Sequence, residues 1–202
     1  MAISIELFVI CMSKLDYYER VEVSSRKAWR DWLAANHKRS ESIWLVTYKK
    51  HTGSRYLAYD AIVEEALCFG WIDSLPRKLD GDRTMLLLSP RKPKSVWSKL
   101  NKTRVNQLIT DGLMMPPGLE KIEQAKTDGS WVFLDDVEAL IVPADLAQAL
   151  EANAEAKKNF ESFSPSSKKG ILQWIKMAKR AATRQQRIEK TVTAAKKNKK
   201  AI

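Results

Sequence analysis

In "YERVEV", residues 18–23, apolar and polar positions alternate, a period of two that predicts a short strand. The period then lengthens: "SSRKAWRDWLAANH" opens on serines suited to cap a helix and sets Ala28, Trp32 and Leu33 at helical spacing. In "SIWLVTYKK", Ile43 to Tyr48 is continuously apolar or β-branched, the pattern of a central strand buried on both faces, and "HTGSRY" follows as its turn. From Tyr59 onward Ile62, Ala66 and Phe69 recur at i, i+4 and i+7, widened by Val63, Leu67 and Gly70, so a helix should run to Gly70. "WIDSLPRKL" and "RTMLLLSP" flank an Asp-Gly pair, the strongest short-range hairpin signal. Pro76 cannot donate to a ladder, which places its strand at an edge or on a bulge.

Downstream the period stays helical. "SVWSKLNKTRVNQLITDG" starts at a serine cap, carries Trp97, Leu100, Val105, Leu108 and Ile109 on a stripe and stops at Gly112. "PPGLEKIEQAKTDG" repeats the pattern with Leu119, Ile122 and Ala125, and "PADLAQALEANAEAKKNFESF" follows it. "SPSSKKGILQWIKMAKR" has Ser164 as cap, Pro165 at the first helical position and Ile171, Leu172, Ile175 and Ala178 as its apolar face. The last helix, Ala181 to about Ala195, has only Ile188 and Val192 on an apolar line and must dock weakly or cover a neighbour.

These patterns predict an α+β fold: a small α/β layer with a central strand and a β-hairpin in the N-terminal half, and an all-helical C-terminal half. Pro90 to Pro93 is the natural boundary, giving a small α/β subdomain at 1–90 and a helical subdomain at 91–202, packed with the first as one unit. The chain's 202 residues and seven tryptophans suffice for a sizeable core. The apolar opening "MAISIELFVICM" reads as a non-exported start, because Glu6 interrupts it and no basic residue precedes it. It forms either a short edge strand or an extension upstream of a start at Met12. No run of ~18 apolar residues is present, so no membrane span is expected.

Cys11 and Cys68 lack CxxC spacing and the only histidines are His37 and His51, which argues against a disulfide framework, a structural zinc site or any other metal. The expected setting is reducing and cytoplasmic, with no cofactor. The net charge of +11 is uneven: residues 157–200 hold 14 basic residues against Glu161 and Glu189, a local charge of +12. A second basic stretch runs from Arg77 to Arg104, with Asp80 and Asp82 as its acids. Such surfaces attract acidic proteins or nucleic acid. Lys168, Lys176, Lys179, Arg184 and Arg187 would form the C-terminal basic surface, suited to weak, non-specific nucleic-acid binding or simply to solvation.

No phosphate loop, HExxH or GxSxG motif occurs, and no catalytic residue is assigned. Cys68 follows Leu67 near a helix C-terminus, where the dipole disfavours a thiolate, so it reads as a buried small hydrophobe. Glu64 and Glu65, adjacent on a helix, point about 100° apart, and at most one can face a cleft. Asp73 should accept hydrogen bonds locally or pair with a nearby base. In "SPRKPKSVWSKLNKTR" two prolines stiffen a basic strap ahead of a helix N-terminus, a place suited to an anion. The candidate anion-binding residues are Asp73, Arg77, Arg91, Lys92, Lys94, Ser95, Trp97 and Ser98. An unrecognised active site near Asp73 and residues 91–98 is the enzymatic alternative.

"IWLVTYKKHTG", "YDAIVEEALCFGWIDSLPRKLD", "SPRKPKSVWSKLNKTRV" and "NFESFSPSSKKGILQWIKMAKRAATRQQRIEKTV" resemble the YdeI/OmpD-associated family of bacterial bacteriocin-protection proteins, from about Val21 to Lys197. The chain departs from that pattern at "RTMLLLSP", where an aromatic, more polar strand is expected, and at "KRAATR", where a missing proline permits a continuous helix over 171–195. The resemblance implies resistance to bacteriocins or cationic antimicrobial peptides, with a link to an outer-membrane porin, and brings no catalytic residues. A chain of net charge +11 repels cationic peptides. Protection is therefore expected to be indirect: a non-enzymatic binding protein acting through an anionic small molecule or an acidic protein.

Overall fold

The computed structural model describes residues 14–202; the apolar start, whether strand or extension, lies outside the described residues. The sheet has four strands, β1 (Arg20–Glu22), β2 (Ile43–Tyr48), β3 (Trp71–Lys78) and β4 (Arg83–Pro90), in the order β1-β2-β4-β3. β1 runs parallel to β2, and β4 is antiparallel to both β2 and β3. The unbroken apolar run of β2 is explained by its interior position, buried from Ile43 to Thr47. β3 is an edge strand whose register slips between Asp73 and Pro76, as the missing proline N–H requires.

Helix α1 (Arg26–Asn36) begins at Ser25, whose hydroxyl accepts from Ala28 N at 3.1 Å. Its buried face is Trp29 and Leu33, while Ala28, expected on that face, is exposed. The Trp29 indole N–H reaches Ile62 O at 3.1 Å, so the larger ring takes the inward position with its polar atom satisfied. Trp32 stacks on Trp29 at 5.4 Å and meets Trp71 edge-on at 5.7 Å. Helix α2 (Tyr59–Cys68) closes at Gly70, which takes the left-handed φ of 75°.

Helix α3 (Lys99–Thr110) starts four residues later than the sequence suggests. Lys94 takes φ 60°, and residues 95–98 stay non-helical. Ser95 therefore does not cap the helix and Trp97 is not on it. Val105 and Leu108 are buried as expected, but Leu100 and Ile109 face solvent. In α4 (Pro116–Thr127) Ile122 and Ala125 are buried and Leu119 is exposed. Gly118 lies against the end of α2 so closely that a Cβ would sit 2.3 Å from Cys68 O.

The remaining helices are α5 (Asp135–Glu138), α6 (Ala144–Glu151), α7 (Ala154–Ser162), α8 (Pro165–Lys176) and α9 (Ala181–Lys196). The stretch read as one pattern from Pro143 is broken at Asn153, whose side chain caps α7 by accepting from Ala156 N at 3.0 Å. Ser164 caps α8 and Pro165 opens it, as the sequence indicates. No continuous helix spans 171–195: Arg180 is extended and separates α8 from α9. α9 covers α6, α7 and α8, burying Ile188 and Ala195 in a core with Leu146, Phe160 and Ile171. The chain end is held down: Ala201 is buried, and the Ile202 side chain lies over Gly170.

Two compact units result. One holds the described residues up to Ser95 with Leu100–Thr127; the other holds Val96–Lys99 with Asp128–Ile202. Most of α3 and all of α4 fall in the unit that holds the sheet. In the second unit Trp97 packs on Trp131 at 5.0 Å. Among the described residues no helix is long and apolar enough to cross a membrane.

Candidate functional site

Strand pairing decides which side chains share a face. Leu45 opposes Leu86 and Thr47 opposes Thr84, so these four lie on one side of the sheet. On that side the short 3-10 segment Lys50–Arg55 and the start of α2 leave a cavity of about 590 Å³. Its base is Thr47, Thr84 and Leu86, and its apolar wall is Leu57 and Ile62. Tyr48, Tyr56 and Tyr59, with Lys49 and Lys50, stand around it, and Asp73, Ser74 and Pro76 close the β3 side.

Most polar groups of the cavity are already positioned. The Tyr59 hydroxyl donates to Asp73 Oδ2 at 2.6 Å, and burial, reinforced by this bond, pushes the phenol up to about 12. Tyr48 donates to Glu22, and the Arg55 guanidinium lies 4.3 Å from the centre of the Tyr48 ring. Lys49 Nζ donates to Asp80 O at 2.6 Å and Gly81 O at 2.8 Å, fixing the hairpin tip to the end of β2. Lys50 is exposed. Thr47 is only 3% exposed, and its hydroxyl makes no hydrogen bond among the described residues.

The sequence-based candidates do not converge. Asp73 lines the cavity, whereas Arg77 lies beyond the register slip, opposite Met85, where it pairs with Asp16 at 2.6 Å and covers the Trp44 ring. Arg91 turns inward: it is 3% exposed and donates to Ser95 O at 3.2 Å and Ser95 Oγ at 3.3 Å. Burial lowers its pKa to about 10, against the opposing pull of Asp73. Lys92 and Lys94 are exposed, while Trp97 and Ser98 fall in the second compact unit, Trp97 buried. The strap therefore lacks the helix N-terminus on which its anion seat was argued.

The C-terminal basic surface is also largely engaged. Lys176 pairs with Asp136 at 2.5 Å and Arg184 with Asp145 at 2.6 Å, while Lys168 donates to Glu161 O at 2.5 Å. Arg187 donates to Trp174 O and lies over that ring, leaving Lys179 as the exposed member of the five. Cys68 is fully buried, and burial, then the charge of Glu65, pushes its thiol up to about 11. Glu65 itself is buried between Arg26 at 2.6 Å and Arg30 at 2.7 Å, and neither it nor Glu64 lines the cavity. Among the described residues no three His, Cys, Asp or Glu are grouped to hold a metal ion.

Residues 21–121, half of the chain, match the family described as Domain of unknown function (DUF8412). The chain belongs to this family. Residues 139–198 match the family described as Bacteriocin-protection, YdeI or OmpD-Associated, a partial match that falls within the helical unit. The wider resemblance from Val21 divides accordingly: "NFESFSPSSKKGILQWIKMAKRAATRQQRIEKTV" lies within the second match, and the cavity residues lie within the first. No curated protein and no solved structure matches the chain.

The cavity residues Thr47, Lys49, Lys50, Tyr56 and Tyr59 were not singled out from sequence. They sit in a strand end, a turn and a helix start that individually carry no chemical motif. Only the cluster of tyrosines between 48 and 59, interleaved with Lys49, Lys50 and Arg55, offered a signal.

Proposed function

We propose that this is a cytoplasmic, non-enzymatic bacterial binding protein that contributes to bacteriocin protection indirectly, by binding a small molecule in the sheet cavity. The single observation behind this reading is the cavity's size and chemistry. At about 590 Å³, with an apolar base and a few fixed polar groups, it has the form of a small-molecule site. The link to protection rests on the domain at residues 139–198, and the net charge of +11 disfavours direct capture of cationic peptides. An enzymatic role at Asp73 is less well supported, because a Tyr59 phenol near 12 is poorly matched to proton transfer at neutral pH. Nucleic-acid binding is weakened by the ion pairs that occupy Lys176 and Arg184.

The test is a fragment screen on the full chain read by amide chemical shifts. Bound fragments should perturb Thr47, Leu57, Tyr59 and Asp73 together. Fragments that gather instead around His37 and Lys121, or that bind nowhere, would refute the reading.

A further inference from the structure

Resting on that reading of the cavity, we propose that its ligand is a small organic anion with an apolar, preferably planar, body and that Thr47 and Lys50 determine its selection. The body's place follows from the lining. Leu57, Ile62 and Leu86 are buried around the cavity, while Tyr56 and Tyr59 remain 41% and 50% exposed beside it. Aromatic faces left in this state above an apolar base suit a flat hydrophobic group.

The polar requirement follows from Thr47. Thr47, only 3% exposed as a residue, stands on the cavity base, and its hydroxyl makes no hydrogen bond among the described residues, so it is left to whatever fills the cavity. A ligand oxygen or N–H reaching the base would satisfy it. Neighbouring Thr84, by contrast, already donates to Arg77 O at 3.1 Å.

The sign of charge follows from how the lining's ionic groups are engaged. Asp73, the acid of the lining, already accepts from Tyr59. Lys49 and Lys50 bring two positive charges, and Lys50, exposed, keeps its ammonium available to a ligand. The ten-residue helix α2 begins at the cavity wall with Ala58 as its cap residue, which supplies no side-chain acceptor to the first amides. The first-turn acid, Asp60, pairs with Arg104 at 2.5 Å. Uncapped amides and an available lysine beside one cavity favour a negative group.

The experiment titrates the full chain with two probes of the same shape and opposite charge, 2-naphthoate and 2-naphthylmethylammonium, followed by amide shifts. The naphthoate should bind at least about tenfold more tightly, a difference well within what local charge supplies. It should perturb Thr47 and Tyr59. Thr47→Val and Lys50→Gln should each weaken it by about threefold to tenfold, and only Lys50→Gln should narrow the gap between the probes. The wild-type shift pattern away from the cavity confirms that both variants are folded. Equal or tighter binding of the ammonium at the same residues would overturn the anion assignment while leaving the cavity a binding site. Unchanged naphthoate affinity in both variants would overturn the roles of Thr47 and Lys50. Failure of both probes to shift any cavity residue would overturn this inference and the reading beneath it.

Discussion

Glu65 in the sheet unit is buried between Arg26 and Arg30 of the facing helix, whereas Asp136, Glu138 and Asp145 of the helical unit meet Lys176, Lys169 and Arg184 at partly exposed positions. A buried carboxylate depends on its partners, since water cannot replace them. An exposed one retains its hydration, and its pair contributes little. The same residue types thus act as a clamp in one unit and as loose stitching in the other. The stitching also changes the meaning of the charge count. Residues 128–156 hold seven acids and no base, which reduces the +12 of 157–200 to +5 over 128–200. The fold then sets three of these acids, Asp136, Glu138 and Asp145, directly against α8 and α9.

The sharpest way to break the comparison is Glu65→Ala. Removing the acid takes away the buried carboxylate that Arg26 and Arg30, 42% and 30% exposed, both hydrogen-bond, and the loss of stability should be about 3 kcal/mol, measured by urea denaturation. A loss below about 1 kcal/mol would make Glu65 no different from a surface acid. Next in size is Gly118→Ala. A methyl group 2.3 Å from Cys68 O cannot be accommodated without moving α4, and about 1–3 kcal/mol should be lost. A neutral or stabilising result would show that the α2–α4 contact yields.

The smallest effect belongs to Asp145→Asn, expected within about 1 kcal/mol at pH 7 and smaller still in high salt. Its pH dependence has a definite sign. The hydrogen bond from Arg184, more than the opposing burial, lowers the folded pKa of Asp145. The bonds from Lys176 and Lys169 do the same for Asp136 and Glu138, although burial is the largest single influence on Asp136 and works against the shift. A lowered folded pKa gives stability that is present above the unfolded carboxylate range and lost as pH falls through the folded value. The difference between wild type and Asp145→Asn should therefore shrink below about pH 4. Urea midpoints at pH 7 and pH 3 check this, and a gap that widens in acid would contradict it.

Much of the sheet was legible because each signal was local: the apolar run of β2, the Asp-Gly hairpin and the bulge at Pro76. Helix starts at Ser25 and Ser164 were legible for the same reason, whereas Ser95 failed because the left-handed turn at Lys94 delays α3 to Lys99. Trp29 was passed over for Ala28 because apolar spacing alone does not show which residue finds a partner for its indole N–H. The cavity was the least legible feature. Thr47, Tyr59, Asp73 and Leu86 come from four separate elements, and only strand register brings them to one face. Asp73 was picked out as a local hydrogen-bond acceptor or partner of a nearby base, but the Tyr59 hydroxyl it accepts from comes from a separate element.

The tryptophan packing gives each unit its own optical reporter. Trp32 lies close to both Trp29 and Trp71 in the sheet unit, and Trp97 to Trp131 in the helical one, with ring separations of 5.0 to 5.7 Å. Indoles at such distances couple their electronic transitions, so each cluster should impose its own near-ultraviolet circular dichroism. The two clusters then contribute separately to the spectrum of the intact chain, beside Trp44, Trp174 and the tyrosines, and loss of order in either unit can be followed without attaching a label.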